Sequence, residues 1–303
     1  MATTSKYSNA QNRSGLDMKI AIASGKGGTG KTTLATNLAF LLSQKCPVIL
    51  ADLDVEEPNS GFFIKGKKIQ EKKVFRMIPV WDKEKCVLCG NCQRVCKFNA
   101  VIKLWEEVLI FNQLCHSCYA CSELCPQNAL PMKSYEVGKI TEYEMKNLHF
   151  VEGKLNVGEE QAVPLIKETI DFVNNNFPSD ILRIFDAPPG TSCPVIEATK
   201  DADYVILITE PTPFGLHDLT LAVEVMRELK KDFGVVINRY GIGNNDVIEY
   251  CKIERIPLLG KIPNMKKAAE AYAKGELISE AIPEIRSALN TIIENLKVCE
   301  VLS

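Results

Sequence analysis

Eight of the chain's 12 cysteines lie between Cys86 and Cys125, at spacings suited to metal chemistry. Cys86, Cys89, Cys92 and Cys96 form a C-x2-C-x2-C-x3-C run. Cys115, Cys118, Cys121 and Cys125 repeat it with an offset of 29 residues, and Pro126 follows. Three thiolates so closely spaced wrap one face of a cubane cluster, while the fourth points away and ligates a second one. The spacing therefore assigns Cys86, Cys89, Cys92 and Cys125 to one 4Fe–4S cluster. Cys115, Cys118, Cys121 and Cys96 go to another. Paired zinc sites use cysteines two by two and leave the third cysteine of each run without a task. A disulfide scaffold needs an oxidising compartment. The N-terminal residues carry no apolar export signal, and no apolar stretch reaches the ~18 residues of a membrane span, so a cytoplasmic location is expected.

A second constellation lies near the start. Gly25-Lys26-Gly27-Gly28-Thr29-Gly30-Lys31-Thr32-Thr33 fits G-x-x-x-x-G-K-S/T. Glycines let backbone N–H groups turn inward around phosphate oxygens, and the next helix points its N-terminal dipole at the same anion. Gly25, Gly27, Gly28, Thr29, Gly30, Lys31, Thr32 and Thr33 thus form the expected nucleotide site. Lys31 reaches the phosphates and Thr32 ligates Mg2+. Asp52, Asp54 and Asp186 end apolar runs, where carboxylates face a ligand at a sheet's C-terminal edge.

These residues need a scaffold, and the remaining text supplies one. The runs Met18–Ser24, Pro47–Asp54, Asp180–Gly190, Asp203–Thr212, Phe233–Tyr240 and Pro257–Pro263 read as buried strands. Helical periodicity lies between them, near 163–177 and 216–230, and in a last helix at 283–302. The expected fold class is α/β, a doubly wound, mostly parallel sheet. The expected domains are 18–60 with 135–303, and an inserted small α+β domain at 61–134 carrying the eight cysteines. Residues 1–17 are polar and aperiodic and are expected to be disordered. Charges nearly cancel, 36 basic against 38 acidic for a net −2, so neither nucleic acid nor an anionic membrane is an expected partner. Lys65, Lys67, Lys68, Lys72 and Lys73 read as a solvated hairpin rather than a docking patch.

Lys26, a second lysine inside the loop, gives GKGGTGKTT a specific resemblance. The chain resembles the deviant Walker A P-loop NTPases of the SIMIBI class: MinD, ParA, Mrp and the nitrogenase iron protein. The likeness covers about 18–60 and 135–300. It implies an ATP-dependent homodimer in which Lys26 reaches the partner's nucleotide. It further implies that Asp54 activates the attacking water, that Asp52 lies beside Mg2+, and that Asp186 holds Mg2+ through water. Asn238 matches an adenine-contacting position. Residues 75–135 resemble bacterial two-cluster ferredoxins, except that Lys97 stands where the first motif often has proline. That cation near Cys96 favours a reduced cluster. His116 and Tyr119 read as filling the small domain's surface and core.

The combination points to an ATPase whose dimer geometry gates electron transfer through two 4Fe–4S clusters, with its redox partner or client undefined. The alternative is an iron–sulfur cluster carrier or metallocofactor assembly factor, as in the Mrp branch. A MinD-like spatial regulator ranks lower, because residues 281–303 lack a basic amphipathic face and no stable membrane association is expected. Cys193 follows Asp186 by seven residues, as a bridging-cluster cysteine does in the nitrogenase iron protein. The competing reading, ordinary burial, is preferred, and Cys46, Cys251 and Cys299 are expected in core or helix.

Overall fold

Short aliphatic runs become central strands because both of their faces are covered. The computed structural model describes residues 18–296. The strands are β1 (Lys19–Ala23), β2 (Val48–Asp52), β3 (Lys67–Pro79), β4 (Val101–Lys103), β5 (Val108–Ile110), β6 (Met132–Met145), β7 (Leu148–Leu155), β8 (Leu182–Asp186), β9 (Tyr204–Thr209), β10 (Phe233–Tyr240) and β11 (Leu258–Pro263). A nine-stranded sheet has the order β11-β10-β9-β1-β8-β2-β7-β6-β3. From β11 to β7 every neighbouring pair is parallel. β2 and β8 are buried throughout. This is the continuous apolar reading that parallel strands carry when helices cover both faces.

The helices are α1 (Lys31–Ser43) and, further on, α4 (Ala162–Asn176), α5 (Cys193–Thr199), α6 (Pro213–Glu228), α7 (Asp246–Ile253), α8 (Lys266–Ala273), α9 (Ile278–Ala281) and α10 (Pro283–Asn295). Between them in the chain lie two short ones, α2 (Asn91–Val95) and α3 (Ala120–Glu123). Leu34, Leu38 and Leu42 of α1 pack with Ile285, Leu289 and Ile292 of α10 and with β-strand residues such as Leu50 and Ile184. α10 shows the i, i+4, i+7 spacing of one buried stripe. The expectation for Cys299 and for residues 1–17 and 297–303 lies outside the described residues.

Contacts divide the described chain into two units. One holds residues 18–71, 140–154 and 166–296; the other holds 72–139 with 155–165. The division at 71 and 72 falls inside β3 and that at 139 and 140 inside β6, and the sequence reading did not foresee β3, β6 or β7. β3 is exposed over its first seven residues, so it reads polar rather than strand-like. Its Lys68 pairs with Glu71 at 2.8 Å and Lys73 with Glu136 at 2.8 Å. Lysines on an outer strand discourage edge-to-edge pairing. β6 and β7 are joined through Lys146 and Asn147, a two-residue turn with Lys146 at φ 54. Such a short link joins antiparallel neighbours.

The smaller unit has its own core of Cys92, Val101, Val108, Cys121 and Leu130. The 29-residue repeat extends to its backbone. Positive φ recurs at Leu88 and Ser117 (54 and 52), at Gly90 and Tyr119 (76 and 63), and at Asn99 and Asn128 (53 and 51).

Candidate nucleotide and cysteine sites

The loop between β1 and α1 folds into a cradle because its glycines permit it. Gly28 and Gly30 sit at φ +76 and +99, and a Cβ on Gly30 would collide with the Asn238 amide. A Cβ on Gly25 would collide with the Asp218 carbonyl, so α6 approaches the loop closely. Gly30 caps α1 without any side-chain acceptor, which leaves its first-turn N–H groups for an anion. Lys31 is 7% exposed, and its ammonium donates to Ser24 Oγ at 3.1 Å. The Ser24 hydroxyl donates in turn to the Lys26 carbonyl at 2.6 Å. Burial lowers the Lys31 pKa, against the raising influence of Asp186 and Asp54.

Gly27, Gly28, Gly30, Lys31, Thr32, Thr33, Asp54 and Asn238 line a cleft of about 510 Å³. Its other wall is Pro263, Asn264, Met265, Ala268 and Tyr272. The sequence reading missed that wall; the available clue is Pro263-Asn264, a turn signal closing a buried strand. Asn238 donates its amide to the Thr29 carbonyl at 2.8 Å and accepts from Arg239 N at 2.9 Å. It thereby ties the loop to the end of β10 as well as lining the cleft.

The three acids separate by position. Asp54 lines the cleft, and burial raises its pKa. Asp52 is fully buried and turns into the following loop, accepting N–H bonds from Asp54 (3.1 Å), Asn59 (3.0 Å) and Ser60 (2.9 Å). Burial and the facing Asp186 still push its pKa well up. Asp186 is paired with Asp52 in the β2–β8 register and accepts from Ser60 Oγ at 3.3 Å. Its Oδ1 is buried without a partner. Burial pushes its pKa to about 7, against hydrogen bonding from Thr32 and the charge of Lys31. A buried carboxylate oxygen with nothing to bind, beside a P-loop threonine, fits a cation held there through water.

A stability test follows for the nucleotide-free chain. A carboxyl whose folded pKa is raised contributes stability below its unfolded value, near ~4, and loses it as pH climbs through about 7. Asp186→Asn is therefore expected to stabilise the chain at pH 8 by about 1–2 kcal/mol, with a smaller gain at pH 5. Urea unfolding at both pH values measures it; a variant less stable than the parent at pH 8 contradicts the electrostatic account.

Lys26 does not line the cleft. Its ammonium stands 3.8 Å from Glu210 Oε2, and Arg239 reaches the same carboxylate at 2.7 Å. Cys193 departs from the expected burial: it is exposed, as the first residue of α5 beyond the loop that follows Asp186. Cys46 and Cys251 are buried, as expected.

In the smaller unit the eight cysteines gather in two groups. Cys86, Cys89, Cys92 and Cys125 line one cavity, and Cys96, Cys115, Cys118 and Cys121 line the other. Each draws three residues from one motif and the fourth from its repeat. Backbone N–H groups donate to sulfur from Leu88 to Cys86 (3.4 Å), from Ala100 to Cys96 (3.3 Å) and from Ala129 to Cys125 (3.3 Å). Burial and the neighbouring Cys115, Cys96 and Cys118 push the Cys121 thiol up to about 11. His116 stacks on Phe98 with centroids 3.8 Å apart, and Tyr119 is exposed. Among the described residues, no three His, Cys, Asp or Glu side chains converge as ligands of a single ion would. A cubane fills the space between its ligands, so its cysteines stand around a volume rather than a point.

Comparison with known proteins places these sites in context. A protein-family model described as the CobQ/CobB/MinD/ParA nucleotide binding domain matches residues 20–278. An uncharacterized protein of Methanocaldococcus jannaschii is 33% identical over 86% of this chain and 90% of its own length. An iron-sulfur cluster carrier protein of Aquifex aeolicus is 25% identical over 91% of this chain and 66% of its own length. Among solved structures, the septum site-determining protein MinD complexed with Mg-ADP, from Pyrococcus horikoshii, superposes with a TM-score of 0.60. That match covers 94% of this chain and 98% of that one at 18% identity, a likeness of fold. No helix among the described residues is long and apolar enough to cross a membrane.

Proposed function

Because the chain belongs to the CobQ/CobB/MinD/ParA nucleotide-binding family, we propose that it is an ATP-hydrolysing homodimer that couples nucleotide turnover to electron transfer through two 4Fe–4S clusters. The observation that carries the electron-transfer half is the crossed gathering of cysteines, three from one motif and one from the other around each cavity. Burial resists a bare thiolate at Cys121, so loading the site releases a proton and leaves the negative sulfur paired with metal. The clusters, when bound, supply one-electron carriers. The chain's own part is to hold them through eight thiolates and to donate backbone N–H bonds to their sulfurs.

In the nucleotide half, the first turn of α1 and Lys31 bind the phosphates. Thr32 and Asp186 hold Mg2+, which neutralises phosphate charge. Asp54, in the cleft and kept in place by its own N–H bond to Asp52, orients the attacking water. Lys26 acts on the partner's nucleotide. Anaerobic purification, iron and sulfide analysis, and EPR of the reduced protein with ADP and with ATP test the proposal. Two interacting clusters per chain and an ATP-dependent rate of reduction are expected. Absence of 4Fe–4S signals, or reduction indifferent to nucleotide, rejects it.

The likeness to a protein named an iron-sulfur cluster carrier favours a second reading, delivery of clusters to other proteins. ATP-dependent transfer of labelled iron–sulfur to an apo-protein distinguishes it. All eight thiolates are internal to this chain, which opposes easy release.

A further inference from the structure

The repeat builds two cysteine cavities of similar design, but their surroundings differ at one point. Arg76 of β3 is 8% exposed, and its guanidinium donates to the Cys115 carbonyl. The same group donates to the Asn112 carbonyl at 2.8 Å and to Glu159 Oε2 at 3.0 Å. The Gln161 amide also reaches the Cys115 carbonyl, at 3.0 Å. Tyr135 completes the arrangement, its ring 5.7 Å from the guanidinium carbon. Cys86 occupies the equivalent place in the first motif, and among the described residues no side-chain donor meets its carbonyl. The adjacent Lys85 is exposed and paired with Asp82 at 3.1 Å.

Reduction of a cluster adds one negative charge. A cation held in a buried fork opposes that charge with little solvent screening, whereas an exposed lysine is screened. Donors on the peptide of a ligating residue also draw electron density from it and fix its orientation. Glu159 bonds to the other guanidinium nitrogen, where it keeps the fork aimed and offsets part of its field. Lys97, the cation that the sequence alone points to, is exposed; Arg76 is buried.

We infer that Arg76 is a positioning residue that makes the two clusters unequal. The cluster held by Cys96, Cys115, Cys118 and Cys121 has the higher reduction potential and takes the first electron. The inference rests on the cluster reading above, and the experiment separates the two. The anaerobic holoprotein is titrated redox-potentiometrically with EPR detection, and Cys86→Ser, which removes a ligand of the other cluster, assigns the signals. The parent is expected to show two distinct midpoints. Arg76→Gln lowers the higher one and leaves the other in place. Glu159→Gln, which retains the arginine bonds, raises it, and Arg76→Lys restores part of the loss. Both midpoints unchanged in Arg76→Gln and Glu159→Gln, or both shifted equally, overturns the inference while the cluster reading stands. A parent without clusters overturns that reading and the inference with it.

Discussion

Lys26→Ala is expected to slow ATP hydrolysis about a thousandfold while nucleotide affinity of the isolated chain changes little. A cation supplied across an interface stabilises charge that develops only in the transition state, and such groups are worth about 10³–10⁵ in turnover. Lys31 is positioned differently: it is buried in the cleft wall and bonded to Ser24. Lys26 stands outside that wall, 3.8 Å from Glu210, with a third of its side chain exposed. The contact is long, and Arg239 holds the same carboxylate more closely at 2.7 Å, which leaves the Lys26 ammonium available to a partner. Steady-state hydrolysis, calorimetric nucleotide binding and ATP-dependent dimer formation together check the prediction. Full activity in the variant, or loss of nucleotide binding by the monomer, contradicts a role in trans.

The second large effect concerns the cysteines. Cys86→Ser and Cys125→Ser are expected to remove the same cluster, and Cys96→Ser and Cys115→Ser the other. Each single change costs about half of the iron, because a cubane lacking one of its four thiolates is poorly held. The double variants discriminate. Cys86→Ser with Cys125→Ser should lose no more than either alone, whereas Cys86→Ser with Cys115→Ser should lose nearly all. Non-additivity within a cavity and additivity between cavities is the signature of residues acting as a unit. Iron and sulfide content per chain with EPR measures it. Additive losses for Cys86 with Cys125 would show that the crossed arrangement around the cavities is not a ligand set.

These predictions draw on different layers of the molecule. Local text was enough to mark the phosphate loop, because its glycines, lysine and threonine act through backbone conformation and one helix terminus, all within nine neighbouring residues. The gathering of Cys125 with Cys86 around one cavity was legible too, because the fourth cysteine of such a run points away from its own three. The aliphatic runs announced a parallel sheet for a similar reason: burial on both faces leaves no polar alternation.

Other features depend on where distant segments meet. β3 is exposed over its first seven residues, where its text is mostly lysine and glutamate, so its place at the sheet's edge identifies that half. Asp52 and Asp54 are equivalent in residue type and strand position, and only the family resemblance gave them different roles. The fold turns one into the loop at Asn59 and Ser60 and the other into the cleft. The wall at 263–272 and the Arg76–Glu159 fork join residues far apart in the chain, 83 positions in the latter case. Residue types and spacing thus determined the chemistry this protein is equipped for: a phosphate cradle and eight cysteines in a repeated pattern. Tertiary structure alone showed that Asp54 lines the cleft while Asp52 is buried in its loop, and which cysteine cavity has a buried cation beside it, because burial and electrostatic fields arise from packing between segments that no local window contains.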